Sequence, residues 1–365
     1  MYVISIITLF GKRKEILHNN INNVKRNEAI DGLRGIVAII IAIFHFEVDY
    51  PFSHQLFLTG YLGVEFFFIL SGFMLARNLV EKESNSINIK KIMLTKIKRL
   101  YPAYFLGLLL IIGLHSLKWY DGNVVAWLCS DRGKFKELLL EVLMMQMSGV
   151  GDFSLINFPA WYVSVVIIIT LIIALFVKYF RGIFIKCLVP FSMIIYLALV
   201  ELYGNLNINV GLLGIVCIGL IRGFAGMCFG IMIYYIYIKL KHYKINFNKN
   251  IIINSLVQFL LLMWFISMLI GNTPSKLDVI ILIPISGIIL SLFLSQSLIS
   301  KMLSSKIILF LGKISYSFYI CQSFTQIVFK YYLSNINEPL AVFMFIVLNI
   351  IIALGIEIFI KKIIS

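Results

Sequence analysis

The sequence predicts an all-α membrane protein with about ten transmembrane helices. Hydrophobic residues make up 61% of the 365 residues and charged residues only 13%, whereas soluble globular domains contain about one quarter charged residues. Apolar runs of about 20 residues recur along the chain, and a helix of that length crosses about 30 Å of hydrocarbon. No remaining stretch is long enough for a sizeable soluble domain.

Ten apolar runs define the predicted spans, and polar segments separate them. In chain order they are residues 29–48, 60–79, 100–117, 160–178, 183–201, 212–238, 251–270, 278–298, 314–333 and 340–360. We therefore divide the chain into a cytoplasmic or interfacial segment, residues 1–28, and a transmembrane domain, residues 29–365. The first ten residues, MYVISIITLF, are too short to span and have no basic residues before them, so they predict an interfacial segment rather than a signal peptide.

The placement of the charges predicts the orientation of the chain. The net charge is +15, with 32 Lys and Arg residues against 17 Asp and Glu, which in a soluble protein would suggest a nucleic-acid partner. Most of the basic residues lie before the first span and in alternate connections, as the positive-inside rule expects of cytoplasmic loops. We therefore expect both termini in the cytoplasm, a multi-pass protein of the inner or cytoplasmic membrane in contact with its lipid, and no nucleic-acid partner.

The first span includes the stretch DGLRGIVAIIIAIFHF (31–46), in which Arg34 lies near one end and His45 near the other. Eleven residues at about 100° each come within about 20° of three full turns, so both side chains share one helix face about 16 Å apart. Taken singly, Arg34 could extend to cytoplasmic headgroups and His45 could lie wet at the outer interface. Their common face, with Asp31 one turn before Arg34, favours a polar path and makes His45 a candidate general base.

The second span contains an acid, Glu65, near its outer end at a depth similar to His45. A carboxylate there could orient the imidazole or bind a substrate hydroxyl, or it could be an acid at headgroup level. Gly60, Gly63 and Gly72 indicate close helix packing.

Lys96 and Arg99 lie on one helix face just before the third span. The pair suits a phosphate-bearing ligand, and it equally suits anionic lipid headgroups. Coenzyme A would fit the site as a whole, with its phosphates on these basic groups and its pantetheine arm carrying a thioester toward His45.

The later segments add further expectations. Residues 118–159 form the long outer segment, which we expect to lie on the membrane surface or to fold back as a packing helix; a substrate-gating lid is the alternative. Arg222 is either a structural ion partner or a pore-lining charge. The five cysteines (Cys129, Cys187, Cys217, Cys228 and Cys321) have neither a CxxC pair nor a histidine at ligand spacing, so we expect no metal site and no disulfide framework.

Three motifs lie in the first part of the chain, namely R-x10-H in the first span, GYLGVEFFFILSGF in the second and KIKRLYPAY before the third. Three weaker ones follow, FPAWYVSV (158–165), RGFAGMCFGIMIY (222–234) and LGKISYSFYICQ (311–322). Together they resemble the acyltransferase 3 family of multispan membrane acyltransferases. The resemblance therefore covers about residues 26–360.

The resemblance implies transfer of an acyl group, often acetyl, from cytoplasmic acyl-CoA to a hydroxyl group of a cell-surface or lipid-linked carbohydrate. His45 matches the catalytic histidine of the family, and Arg34 matches the arginine of its R-x10-H pair. Arg99 matches the second arginine of R-x-x-R, whereas Lys96 replaces the first, which keeps the charge and loses the bidentate fork. Glu65 falls where the family commonly has an acid or another polar residue.

Two departures from the family pattern suggest a different acceptor. Val165 and Val166 follow the tryptophan motif where the family often has a glutamate, and Gln322 stands where it often has a histidine. Trp161 and Tyr162 could stack on the acceptor sugar, or they could belong to an interfacial aromatic belt.

The expected mechanism uses His45 as the base that takes the proton of the acceptor hydroxyl as its oxygen attacks the thioester carbon. A two-step route through an acylated histidine is the alternative. The sequence offers no obvious oxyanion donor, and it leaves the oligomeric state open. A transporter or glycan flippase would also need buried charges and a polar path, and a non-catalytic sensor is a third possibility.

Overall fold

The computed structural model describes residues 27–50, 55–80, 83–120, 122–129, 132–150, 155–209, 211–213, 216–243, 250–271, 273–333 and 336–364. Within these ranges, ten helices are long and apolar enough to cross a membrane. The predicted fold class and the predicted number of spans are therefore confirmed. The interfacial segment predicted at residues 1–28 lies outside the described residues except for its last two, and His54 lies outside them as well.

Helices make up most of the described residues. In chain order they are α1 Glu28–Asp49, α2 Gly63–Val80, α3 Ile89–Tyr120, α4 Val124–Cys129, α5 Arg132–Val142, α6 Trp161–Tyr179, α7 Arg181–Ile183, α8 Val189–Tyr203, α9 Ile218–His242, α10 Ile251–Ile270, α11 Leu282–Leu294, α12 Leu298–Leu303, α13 Lys306–Tyr332 and α14 Glu338–Ile364. Short 3-10 turns lie at Gly60–Leu62, Ser84–Ser86, Phe158–Ala160 and Lys276–Ile281, and a π-helical segment, Phe184–Leu188, joins α7 to α8. Strands β1 Leu212–Leu213 and β2 Val216–Cys217 form a small antiparallel pair.

Three predicted boundaries are wrong. The third span, α3, begins at Ile89 and not near residue 100, so about half of the connection expected between the second and third spans is helical. The ninth span, α13, begins at Lys306 and not at residue 314, because a helix can continue beyond the hydrocarbon layer whose thickness sets the apolar run. The sixth span, α9, begins at Ile218 and not at residue 212, because the residues before it form the strand pair.

Glycines allow the central helices to pack with their backbones in contact. A Cβ atom at Gly35 of α1 would lie 2.6 Å from the backbone nitrogen of Gly312 in α13. A Cβ atom at Gly72 of α2 would lie 2.0 Å from the carbonyl oxygen of Met227 in α9. Since no side chain fits at either crossing, small residues hold α1 on α13 and α2 on α9.

The burial of the spans separates an inner layer from an outer one. In α1, in the segment Gly60–Leu79 and in α9, 72% of the apolar window is buried inside the protein, whereas α10 has only 11% and Glu338–Ile363 only 22%. Exposed apolar side chains on the outer helices suit a lipid surrounding. The inner helices therefore place Arg34 and His45 at the centre of the bundle.

Candidate active site

Arg34 and His45 lie on one continuous helix, as the sequence predicts. The side chain of Asn27 caps α1 by accepting a hydrogen bond from the Ile30 N–H at 3.2 Å. The helix then runs unbroken to Asp49. Regular helical rotation over these eleven residues directs both side chains the same way, within about 20°. The continuous helix that the predicted shared face requires is confirmed.

The shared face lies between α2 and α13, and its middle is packed. Ile41, seven residues after Arg34 and so within about 20° of it, is fully buried and packs against Gly63, where an added Cβ atom would lie 2.9 Å from the Ile41 side chain. The glycine contact described above brings in α13 beside it. The Arg34 side chain is 25% exposed, and His45 is half-buried. Ionisable side chains that keep partial exposure inside a helical bundle indicate polar surroundings at each end of this face.

The imidazole of His45 has aromatic neighbours. Its ring centroid lies 5.6 Å from that of Phe158 in an edge-on arrangement at 81°, and 5.1 Å from that of Phe44. In the described part of the chain, no hydrogen bond to this imidazole is present. Both ring nitrogens can therefore exchange a proton with a ligand.

A buried acid, Glu141, holds the segment that places Phe158 beside His45. Its Oε1 accepts hydrogen bonds from the backbone N–H groups of Ile156 at 2.6 Å and Asn157 at 3.1 Å. The Asn157 side chain in turn donates its Nδ2 to the carbonyl of Ile320 in α13 at 3.3 Å. Burial raises the pKa of Glu141 to about 8, although the two N–H donors favour the ionised form.

Glu65 is occupied by partners other than His45. The carboxylate is fully buried; Oε1 accepts a hydrogen bond from Nε of Arg222 at 2.5 Å, and Oε2 accepts one from the hydroxyl of Tyr196. Neither oxygen bonds to the imidazole. The structure thus places Glu65 in a buried ion pair, and its expected role as the partner of His45 has no contact to support it.

Arg222 is a structural ion partner, the first of the two alternatives that the sequence leaves open. Besides Glu65, its guanidinium donates to the carbonyls of Ile208 and Tyr61, both at 3.3 Å. The group is only 2% exposed. A buried guanidinium with a carboxylate and two carbonyl acceptors is neutralised in place and leaves little capacity for a ligand.

The predicted basic site is divided between two arginines and a lysine. Arg99 is exposed and close enough to Arg34 for the two positive charges to act on each other. Arg34 also pairs with Asp31, with 3.3 Å between Nη1 and Oδ1. The Nζ of Lys96 instead donates to the Thr170 hydroxyl of α6 at 2.5 Å. Arg99 therefore lies within electrostatic range of both Arg34 and Lys96, and the Lys96 ammonium is bonded to α6.

The two predicted sugar-stacking residues have different surroundings. Trp161 is fully buried and lies between Phe68, 5.9 Å away, and the Arg222 guanidinium, 5.8 Å away. Its ring therefore packs against an aromatic ring and a guanidinium of the core. Tyr162 is half-buried, shares a hydrogen bond of 3.1 Å with the Ser71 hydroxyl, and interacts electrostatically with Arg34 and Arg99. Tyr162 thus lies beside the basic site.

The described residues include no set of side chains that could bind a metal ion. No group of three or more His, Cys, Asp or Glu side chains lies close together there. Four cysteines are free thiols, namely Cys187, Cys217, Cys228 and Cys321, and the side chain of Cys129 is outside the described part.

Sequence reasoning missed the residues that surround His45 from other elements. Asn157 and Phe158 precede α6. The sequence feature that could have identified them is the aromatic FPAW segment at the start of that span. Glu141 belongs to the outer segment, which folds back into the protein as one of the expected alternatives: Glu141, Met144 and Met147 are all buried. An acid in a Leu-rich stretch of a membrane protein is the signal for its role.

Comparison with known proteins finds one family. A family model described as an acyltransferase domain, the acyltransferase 3 model, matches residues 27–358 of this chain. No solved structure gives a significant match.

The curated relatives are similar over short segments. A protein of Staphylococcus aureus strain COL, provisionally named as an O-acetyltransferase, is 31% identical over 98 residues, which cover 26% of this chain and 15% of the relative. The peptidoglycan O-acetyltransferase OatA of Listeria monocytogenes is 26% identical over 86 residues, covering 23% of this chain and 13% of the relative. The matched segments thus span about one seventh of the length of these relatives.

Proposed function

This chain belongs to the acyltransferase 3 family, and we propose that it moves an acyl group, acetyl in the simplest case, from cytoplasmic acyl-CoA to a carbohydrate hydroxyl. The names of the similar proteins, O-acetyltransferases of two bacteria, support acetyl as the group and a cell-surface glycan as the acceptor. One observation carries the proposal: His45 has a half-buried imidazole without a hydrogen bond in the described part of the chain, on the same face as Arg34.

Arg34 and Arg99 supply the binding site for the donor. Two guanidinium groups close together repel each other unless an anion lies between or beside them. Asp31 compensates one of the two positive charges. A phosphate group of coenzyme A would compensate the other and accept two hydrogen bonds from the planar guanidinium group. The thioester end of the donor then extends along α1 toward His45, about 16 Å farther along the helix.

His45 supplies the proton transfers of the reaction. The imidazole accepts the proton of the acceptor hydroxyl while the hydroxyl oxygen forms a bond to the thioester carbon. The carbon–sulfur bond then breaks, and the imidazolium returns the proton to the departing thiolate. The products are an ester and free coenzyme A. Packing of Phe44 and Phe158 around the imidazole limits access of water, which would otherwise hydrolyse the thioester.

The proposal is tested by following the release of free thiol from acetyl-CoA by the purified protein in lipid nanodiscs. We expect His45→Ala to lower turnover by about 10²-fold or more, since a general base contributes that much. We expect Arg99→Ala to raise the KM for acetyl-CoA with a smaller change in kcat, because it loses a binding contact.

The matched control is His115→Ala, because His115 is another half-buried histidine in a span and stacks on Trp127 with 6.3 Å between the ring centroids. It should keep wild-type turnover. Full turnover by a well-folded His45→Ala protein would disprove the role of His45. A wild-type protein that leaves acetyl-CoA intact with every glycan tested would contradict acyl transfer and favour a transporter.

A further inference from the structure

Three side chains on one face of α13 are buried without hydrogen-bond partners. The hydroxyl of Tyr319, both amide atoms of Gln322 and the Nε2 atom of Gln326 have no partner among the described residues. Positions i, i+3 and i+7 of a helix lie on one face, and here they cover about 10 Å along the axis. A buried amide without a partner costs free energy, so this row is poised to bind something polar.

The row lies level with His45. Gly35 of α1 contacts Gly312 of α13, and farther along both helices the ring of Phe46 lies 5.3 Å from that of Phe329. The two helices therefore run parallel. Counted from the glycine contact, His45 is level with Gln322, and counted from the Phe46–Phe329 contact it is level with Val328, so the imidazole lies at the depth of the second half of the row.

Asn157 adds an acceptor atom at the same place. Its Oδ1 is buried without a partner in the described chain, while its Nδ2 is bonded to the Ile320 carbonyl of α13. Its neighbour Phe158 is in ring contact with His45. The unpaired oxygen therefore belongs to a side chain that joins α13 to the segment beside the imidazole.

The chemistry of these atoms selects the ligand. The row offers both donors and acceptors, and none of its members is charged, so it matches hydroxyl groups, which also donate and accept. The row is about 10 Å long, which is longer than a single thioester carbonyl group and similar to two linked sugar rings. Placing a carboxylate against neutral amides in the buried bundle would be costly.

We propose that Tyr319, Gln322, Gln326 and Asn157 form the acceptor subsite, which binds the hydroxyl groups of an uncharged sugar beside His45. The assignment rests on the proposed acyl transfer and adds to it the position and the chemical class of the acceptor. Gln322 is the central residue, because both of its amide atoms are unpaired and it lies in the middle of the row.

The test compares two glutamines that differ in their partners. Gln258 of α10 is buried as deeply as Gln322, but its amide donates to the Ser291 carbonyl at 3.3 Å and accepts from the Ser297 hydroxyl. Gln322→Leu removes an unpaired amide, so the melting temperature should stay the same or rise. Gln258→Leu breaks bonds that exist and should melt earlier.

Binding is measured by saturation-transfer NMR with chitotetraose, an uncharged oligosaccharide, on protein in nanodiscs. We expect binding to wild type and to Gln258→Leu, and at least a tenfold loss for Gln322→Leu. The charged tetragalacturonate should bind at least tenfold more weakly than chitotetraose. In thiol-release assays, Gln322→Leu should raise the KM for chitotetraose at least tenfold and leave the KM for acetyl-CoA unchanged.

The outcomes separate the subsite from the reaction. If wild type releases thiol but Gln322→Leu binds and uses chitotetraose as wild type does, the subsite is overturned and acyl transfer stands. If chitotetraose binding is lost in Gln322→Leu while wild type releases no thiol, the subsite stands and acyl transfer fails. No binding to wild type, equal binding of tetragalacturonate, or a lower melting temperature for Gln322→Leu with unchanged binding would each overturn the subsite.

Discussion

Glu65 and His45 lie at similar depths on adjacent helices, yet their surroundings give them different tasks. Glu65 is enclosed with Arg222 and Tyr196, and all three side chains are buried. His45 keeps partial exposure and has no hydrogen bond in the described part of the chain. Both oxygens of the Glu65 carboxylate are occupied by Arg222 and Tyr196, so acid and imidazole do not form a catalytic pair here.

Replacing Glu65 should therefore damage folding and not catalysis. Glu65→Ala leaves Arg222 buried without its counter-ion, which costs about 3–5 kcal/mol. We expect a large loss of thermal stability in detergent and a low yield of folded protein. Among the molecules that do fold, turnover per active site should stay near wild type.

Glu201→Gln is the matched control. Glu201 pairs with Lys276 at 2.6 Å, but both side chains are more than half exposed, so its loss should leave the melting temperature unchanged. A Glu65→Ala protein that melts normally and has lost turnover would restore Glu65 to the catalytic machinery.

At this scale, the sequence is informative where a contact is local. Arg34 and His45 can be placed on one face because a single helix carries both, and helical rotation is the same for every sequence. The partners of Glu65 are 157 and 131 residues away in the chain, and no spacing rule connects them. Trp161 is similar: its position at the start of α6 was predictable, but its burial depends on Phe68 and Arg222 from other helices.

At the level of elements, the spans were predictable because hydrocarbon thickness sets their length. Their ends were not, because a basic amphipathic segment such as that from Ile89 to Arg99 continues the helix beyond the membrane. The outer segment was the least predictable part. Glu141 at the end of α5 reaches back to bond with the residues that precede α6, and no local pattern in the sequence indicates that return.

The pKa of Glu141 predicts a pH dependence of stability. Burial raises it from the ordinary value of 4.5 to about 8 in the folded protein. Between these two values the folded state binds more protons than the unfolded state, so the free energy of unfolding falls as the pH rises. The stabilisation is complete below about pH 4.5 and lost above about pH 8.

Glu141→Gln should abolish this dependence, because the amide keeps an acceptor oxygen for the Ile156 N–H and never ionises. We expect the melting temperature of the variant, relative to wild type, to rise steadily between pH 5 and pH 8 in a detergent-solubilised sample. The exposed Glu83→Gln serves as the reference, since its curve should follow that of wild type. Parallel curves for Glu141→Gln and wild type would mean that Glu141 stays ionised in the folded protein.

For the whole molecule, the orientation in the membrane decides whether the donor can reach its site. Arg34 lies near the start of α1, and Arg99 lies in the part of α3 that precedes its apolar run, so both arginines belong to the same side of the bundle. Coenzyme A thioesters are cytoplasmic. The proposed reaction therefore requires the arginine side to face the cytoplasm, which is also the orientation that the lysines and arginines of the connections predict.

Cysteine labelling checks this orientation in intact cells. In a variant whose native cysteines are replaced by serine, we would introduce Lys90→Cys at the start of α3 or Glu201→Cys at the far end of α8, both exposed positions. A maleimide that cannot cross membranes should label Glu201→Cys in intact cells, and Lys90→Cys only after the cells are opened. The opposite pattern would place Arg34 and Arg99 outside the cell, away from acyl-CoA, and would contradict acyl-CoA as the donor even if His45 proved essential.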